Sequence, residues 1–240
     1  MDKNVSLSEI IDFESFDKKK FKIVNFDGRK VLRVEFPKGG VGPKEGGGSD
    51  KLKLEKSYDE LYLQYNVFFP KGFNFVRGGK LPGLSGGTSP GGGSKDINGF
   101  SARVMWRVNN FHDKHKIKNP YKAYLCQYIY YPTKDKNRNW GLDLNWTNQK
   151  TKSKIYIVPG KWHKIKIRIK LNLGNDIIES WFDGKKVLSK KITLRNKGQI
   201  FGIENLFFSS FFGGNTESWG PKKTEYIYFD DFIISDKNIK

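Results

Sequence analysis

Apolar and polar residues alternate with a period of two through much of the chain. The clearest case is residues 161–171 (KWHKIKIRIKL), where Ile165, Ile167 and Ile169 fall on one side and Lys164, Lys166, Arg168 and Lys170 on the other. Such a segment is a strand with one face in a core and the other in a polar setting. The same alternation predicts strands over residues 30–36, 61–69, 100–107, 124–131, 155–158, 177–182 and 226–234, each bounded by Gly, Pro, Asn or Asp. Asp183-Gly184, between 177–182 and 186–192, carries the two-residue signal of a tight hairpin, and residues 172–176 read as a second turn. A helical period is confined to a short segment near residues 7–16.

Many short strands without helices long enough for crossovers predict an all-β protein, an antiparallel β-sandwich of jelly-roll type with a concave substrate cleft. Residues 1–240 read as one domain. A chain of 240 residues with 37% hydrophobic and 15% aromatic side chains has ample material for a core, which excludes a wholly disordered chain. Two glycine-rich segments, 39–50 and 78–99, break the pattern. The second holds nine glycines in 22 residues, so it reads as a permissive surface segment. The apolar residues of its KLPGL stretch suggest instead a loop packed over something.

With 44 basic and 25 acidic side chains the formal charge is +19, which favours a polyanionic partner: nucleic acid, an acidic membrane surface or an acidic polysaccharide. Cys126 is the one cysteine, so no intramolecular disulfide forms and thiol catalysis is not expected. The first 20 residues contain no apolar run of the signal-peptide kind, and no later stretch approaches a spanning helix, so the expectation is a soluble chain made in the cytosol without membrane contact. His112 and His115, in HDKH, read as solvated residues rather than metal ligands. Asp143, Glu179, Asp183, Glu204, Asp230 and Asp231 are scattered and form no paired carboxylate array of the glycosidase type, so they read as turn, hairpin and edge residues.

Parity organises the chemistry. Ser101, Arg103, Met105 and Arg107 share one face of their strand, while Phe100, Ala102, Val104 and Trp106 share the other, which is core. Tyr124, Cys126, Tyr128 and Tyr130 likewise face together. A row of hydroxyls can therefore stand beside a serine and arginine row.

The run GGKLPGLSGG followed by GFSARVMWR, then YIYYP, the turn at Gly160, the W-x-D-G hairpin at Trp181, and FFSSFFGGN with YFDDF near the end resembles polysaccharide lyase family 14 over roughly residues 60–234. The family occurs in algal viruses and algae-eating molluscs. The resemblance implies a β-jelly roll that cleaves polyuronates such as alginate and glucuronan by β-elimination, with Lys80, Ser101, Arg103, Tyr128 and Tyr130 as catalytic residues. Arg107, Tyr124 and Asn215 are the expected substrate-binding residues, and Tyr124 competes for one of the tyrosine roles. The chain is expected to be a monomer that needs no metal or cofactor and to act on extracellular algal cell-wall polysaccharide, with a viral origin among the sources that the resemblance suggests.

β-Elimination at a uronic acid needs a base for the C5 proton, a group to hold the carboxylate as charge builds on it, and an acid for the departing O4 oxygen. Arg103 suits the carboxylate through its planar fork. Lys80 supplies a second positive charge or protonates the leaving oxygen, Tyr130 is base or acid with Tyr128 as its partner, and Ser101 orients. Nearby cations are expected to lower the tyrosine pKa. The KIKIRIK cations either line the same surface as Arg103 or face outward and contribute only a long-range field. Two other readings compete: a non-catalytic carbohydrate-binding sandwich using Trp140, Trp146 or Trp219 as sugar platforms, and a nucleic-acid binder, for which no motif is present.

Overall fold

A computed structural model describes residues 2–12, 16–132, 139–172 and 174–239. The strands are β1 (Asp2–Val5), β2 (Phe21–Phe26), β3 (Arg29–Phe36), β4 (Gly47–Tyr58), β5 (Glu60–Phe68), β6 (Gly78–Gly87), β7 (Gly99–Val108), β8 (Ala123–Tyr130), β9 (Leu142–Asn145), β10 (Trp162–Lys170), β11 (Ile177–Phe182), β12 (Lys185–Lys191), β13 (Ile203–Phe212) and β14 (Glu225–Ser235). Two short helices accompany them, α1 (Leu7–Ile11) and α2 (Gly42–Glu45). The strands form two antiparallel sheets, one ordered β12-β11-β10-β5-β14-β3-β2 with β1 beside β14, the other ordered β4-β13-β6-β7-β8-β9. Among the described residues no helix is long and apolar enough to cross a membrane.

The alternating residues behave as their period requires. Ile165, Ile167 and Ile169 of β10 and Leu61, Leu63, Tyr65 and Val67 of β5 point inward from one sheet. Ala102, Val104 and Trp106 of β7 with Leu125 and Ile129 of β8 meet them from the other. Trp106 sits among Phe36, Phe69, Phe73, Phe75 and Phe212, mostly edge to face, and its indole N–H donates to the Phe75 carbonyl at 3.2 Å. Polar links also cross this core; in one, the Ser180 hydroxyl of β11 donates to Gln127 of β8, whose amide donates to the Arg103 carbonyl at 3.1 Å. That contact ties the backbone behind Arg103 to the opposite sheet. At the β11–β12 hairpin Asp183 and Gly184 both have positive φ, 49° and 76°, as the two-residue turn requires.

Several expectations are corrected. The segment near residues 7–16 is helical only over Leu7–Ile11, and residues 13–15 lie outside the described ones. Residues 155–158 form no strand; Tyr156 makes a single bridge to Tyr124. The glycine-rich 78–99 segment is not a surface linker in its first half, because Gly78–Gly87 is β6, fully inside its sheet between β13 and β7. Here glycine serves close packing rather than mobility: a Cβ on Gly79 would fall 2.0 Å from the Trp106 ring, and one on Gly83 2.1 Å from the Ala102 carbonyl. The 39–50 segment likewise folds into α2 and the start of β4. The KIKIRIK cations belong to the sheet opposite Arg103 and project outward, where Arg168 pairs with Glu60 and Glu179 and Lys170 with Glu60. Trp146 is fully buried, which removes it as a sugar platform, whereas Trp140 is exposed.

Gly79→Ala drives a methyl group into the Trp106 indole at the centre of the core, and overpacking of this kind costs about 1–3 kcal/mol. Thermal unfolding should show a Tm several degrees below wild type; an unchanged Tm would mean that Trp106 can move aside and that the tight fit is incidental.

Candidate active site

The face of the six-stranded sheet turned away from the core gathers the chemistry. Register sets Ser101 opposite Tyr130, Arg103 opposite Tyr128, Met105 opposite Cys126 and Arg107 opposite Tyr124. On the other side of β7, strand β6 brings Ser85 opposite Ser101, Gly83 opposite Arg103 and Lys80 opposite Met105. Lys80 and Gly83 are three residues apart yet share this face because the register shifts between Leu81 and Gly83, leaving Pro82 as the extra residue of a bulge. Proline cannot donate to the ladder and is suited to that position, and its carbonyl accepts from the Tyr65 hydroxyl in the core at 3.1 Å. Without the bulge Lys80 would point the same way as Leu84, into the core.

The seven residues Lys80, Ser101, Arg103, Arg107, Tyr124, Tyr128 and Tyr130 are thus neighbours, and none exposes more than 7% of its surface. The loop 88–98 roofs one end: Ser101 donates to the Pro90 carbonyl at 2.6 Å, and the Gly93 N–H donates to the Tyr130 hydroxyl at 2.9 Å. From the far side of β8 the Gly141 N–H donates to the Tyr128 hydroxyl at 3.0 Å, and the two phenolic oxygens lie 3.4 Å apart. The Lys80 ammonium position is 3.7 Å from the Tyr128 ring centroid and 2.8 Å from the Met105 sulfur.

Charge within the cluster is unbalanced. Arg107 forms a two-point pair with Asp143 of β9, at 3.0 and 3.2 Å, and stacks on Phe111. Among the described residues Arg103 has no carboxylate partner: it stacks on Phe207 at 4.5 Å and donates to Ser209 at 3.3 Å, while its Nε has no partner there. Lys80 makes no ion pair either. Burial, with Arg107 and Arg103 nearby, drives the Lys80 pKa well below the usual lysine value. Burial alone lowers the Arg103 pKa to about 10 against the weaker opposing effect of the two tyrosines.

The phenols follow the same rule with the opposite sign. Tyr128 is raised above its ordinary value, chiefly by desolvation and then by Tyr130, so the expectation that neighbouring cations lower it fails there. Tyr124 is raised as well, again by burial first.

Asn215 does not join this cluster. It lies on the exposed loop after β13, in an open groove of about 1000 Å³ with Arg77, His112, Asp113 and Lys114. The groove and the cluster meet at Trp219, which carries the Arg77 guanidinium at 4.3 Å and that of Arg107 at 5.6 Å. His112 contributes its carbonyl to Arg77, and among the described residues no group of side chains could hold a metal ion. Sequence reasoning missed Asp143 as the partner of Arg107 and Phe207 as the support of Arg103; the alternation of Leu142–Asn145 beside the tyrosine strand was the available signal for the first.

Residues 25–232 match the family model described as Polysaccharide lyase 14. A comparison with curated protein sequences finds no match. Among solved structures, the chain is similar to the alginate lyase Aly36B, with a TM-score of 0.76, 24% identity, and 99% of this chain and 93% of that one covered. The alginate lyase from Aplysia kurodai follows at 0.71 and 24%, covering 93% and 89%, and alginate lyase vAL-1 from Chlorella virus at 0.72 and 21%, covering 97% and 98%. A variant of Aly36B is known in complex with an alginate trisaccharide.

Because the folded-state pKa of Lys80 lies below its unfolded value, the protein at neutral pH bears the cost of either a buried ammonium or a lost proton. That cost is full below the lowered pKa and fades as pH climbs toward the ordinary lysine value of 10.5. Lys80→Met should therefore melt above wild type at pH 7, with the gap closing in alkaline buffer. Equal Tm values at both pH values would show that Lys80 is solvated.

Proposed function

The chain belongs to polysaccharide lyase family 14, and on that premise we propose that it cleaves an acidic uronan, of the alginate or glucuronan kind, by β-elimination at the Lys80–Arg103–Tyr128–Tyr130 cluster. One observation carries this reading: a buried guanidinium, Arg103, and a buried lysine, Lys80, stand without an ion-pair partner among the described residues, beside a pair of hydrogen-bonded phenols. Buried unpaired cations are costly and invite an anionic ligand to complete them. Arg103 receives the sugar carboxylate and holds it as negative charge accumulates during loss of the C5 proton, so its attraction is greater in the transition state than in the ground state.

The proton goes to the Lys80 amine, the form that burial favours over the ammonium. The electron pair of the C5–H bond becomes the C4–C5 double bond, and the C4–O4 bond breaks. Tyr128, whose phenol burial keeps protonated, supplies the proton to O4, with Tyr130 hydrogen-bonded to it as the second hydroxyl. Ser101 anchors the roof loop through Pro90 rather than touching the reacting atoms. Since that loop covers Tyr130 and Arg103, substrate entry requires it to lift. Gly91, whose absent side chain would meet the Arg103 guanidinium at 3.0 Å, marks the closest approach. The net charge of +19 draws the polymer to this surface.

Ultraviolet absorbance of the unsaturated product, measured on alginate blocks and on glucuronan, tests the reading. Arg103→Lys should lose about 10²–10³-fold in kcat, because it keeps the charge and loses the fork. Tyr128→Phe should be similarly impaired, and turnover should persist with a chelator. Activity should fall on the acid side as Lys80 is protonated and hold on the alkaline side while Tyr128 keeps its proton. A rise that began only above the ordinary tyrosine pKa of about 10 would transfer the base role to a phenolate.

A further inference from the structure

The register of the six-stranded sheet extends the site in a direction that neither the motif residues nor the Asn215 groove follows. Phe207 of β13 is opposite Lys51 of β4 on one side and Gly83 of β6 on the other, and Gly83 is opposite Arg103. Arg103 is in turn opposite Tyr128, and Tyr128 opposite Asp143. One straight row across six strands therefore reads Lys51, Phe207, Gly83, Arg103, Tyr128, Asp143. The Phe207 ring lies between two cations of this row, the Arg103 guanidinium at 4.5 Å and the Lys51 ammonium at 5.4 Å. Gly83 contributes no side chain between them, and the Arg103 guanidinium lies over the Phe207 ring directly.

The neighbouring row repeats the polarity, with Lys53, Asn205, Ser85, Ser101 and Tyr130 in register. Lys51 and Lys53 are exposed on the outermost strand and, among the described residues, make no ion pair. They differ in this from the rear-face cations Arg168, Lys170 and Lys186, which are matched to Glu60 and Glu179. A strand-to-strand step is about 4.8 Å, so Lys51 stands about 14 Å of sheet away from the Arg103 backbone. The charged groups themselves come closer, both over the Phe207 ring at 4.5 and 5.4 Å from its centroid, so Lys51 reaches toward the sugar next to the one held by Arg103 along the same line.

We propose that the acidic polymer crosses the strands along this row and that Lys51, supported by Phe207, binds the carboxylate of a sugar on the β4 side of the cleavage point. The proposal rests on the lyase reading above and adds to it a binding residue and a chain direction. Lys51 touches no reacting atom, so its loss should appear in KM rather than in kcat.

The test compares full-length Lys51→Ala, Lys51→Arg and Lys164→Ala. Lys164 is an exposed, unpaired lysine of the opposite sheet, so its replacement removes the same charge far from the row. On polymeric alginate or glucuronan, Lys51→Ala should raise KM about three- to fivefold with kcat unchanged, as expected for one exposed ion pair. Lys51→Arg should restore KM, and Lys164→Ala should stay near wild type. Equal effects of Lys51→Ala and Lys164→Ala would overturn the proposal in favour of long-range attraction alone. Migration through gels containing each polymer, in a Lys80→Met background, gives a second readout independent of turnover: Lys51→Ala should be retarded less than Lys164→Ala. If wild type forms no unsaturated product, the lyase reading fails while the gels still decide on Lys51. If neither polymer retards the protein, both proposals fall.

Discussion

Placing a lysine and an arginine side by side in a dry environment costs free energy, and Lys80 and Arg103 are both so placed, with Asp143 a weaker opposing influence on Lys80 than burial and the neighbouring arginines. The cost is met by the two-sheet core behind them, where Trp106 and five phenylalanines interlock and Gln127 joins the Arg103 backbone to Ser180 of the opposite sheet. The cluster exists only because β6 slips by one residue at Pro82. That bulge turns Lys80 out of the core and onto the face of Arg103, and the Tyr65 hydroxyl holds it from beneath.

Basic residues on the two outer faces differ less in number than in pairing. Behind, Arg168, Lys170 and Lys186 are each matched to Glu60 or Glu179, which makes that face a solvated ion-pair network. In front, Asp143 satisfies Arg107 alone. The overall charge can draw any polyanion toward the protein, but among the described residues it is the front face that holds buried cations, Lys80 and Arg103, without an ion pair. Discrimination therefore lives in a few unpaired groups, while the remaining positive charge acts on the rate of encounter.

The strands were legible wherever one face is core and the other polar, as in β7, β8 and β10, because burial imposes the period of two that the residues display. That Ser101, Arg103 and Arg107 share one face of their strand, and Tyr124, Tyr128 and Tyr130 one face of theirs, followed from parity; the pairing that sets them opposite each other came from the structure. β6 was not legible. Nine glycines in its neighbourhood suggest freedom, whereas several of them are there because Trp106 and the β7 backbone leave no room for a Cβ. Phe207 was hidden by the irregular register between Phe207 and Phe211, which breaks the alternation of the FFSSFF run. Asn215 was carried by its motif, and its place in a separate groove depends on the loop after β13, which has no periodic signal.

The tyrosine pKa shows most clearly what a sequence withholds. Neighbouring charges can be inferred from register, but desolvation depends on what covers the group, here the 88–98 loop and the segment at Gly141. Burial outweighs the cations at Tyr128 and keeps the phenol neutral; the same burial disfavours the ammonium at Lys80 and shifts it toward the amine. Elimination needs a neutral base and a protonated acid present together. In water a lysine and a tyrosine hold their protons over the same range, and one can act as base only where the other remains an acid. A single physical cause, removal of water from one face of a sheet, moves the two values in opposite directions, which is the separation that the proposed pairing of Lys80 as base with Tyr128 as acid requires.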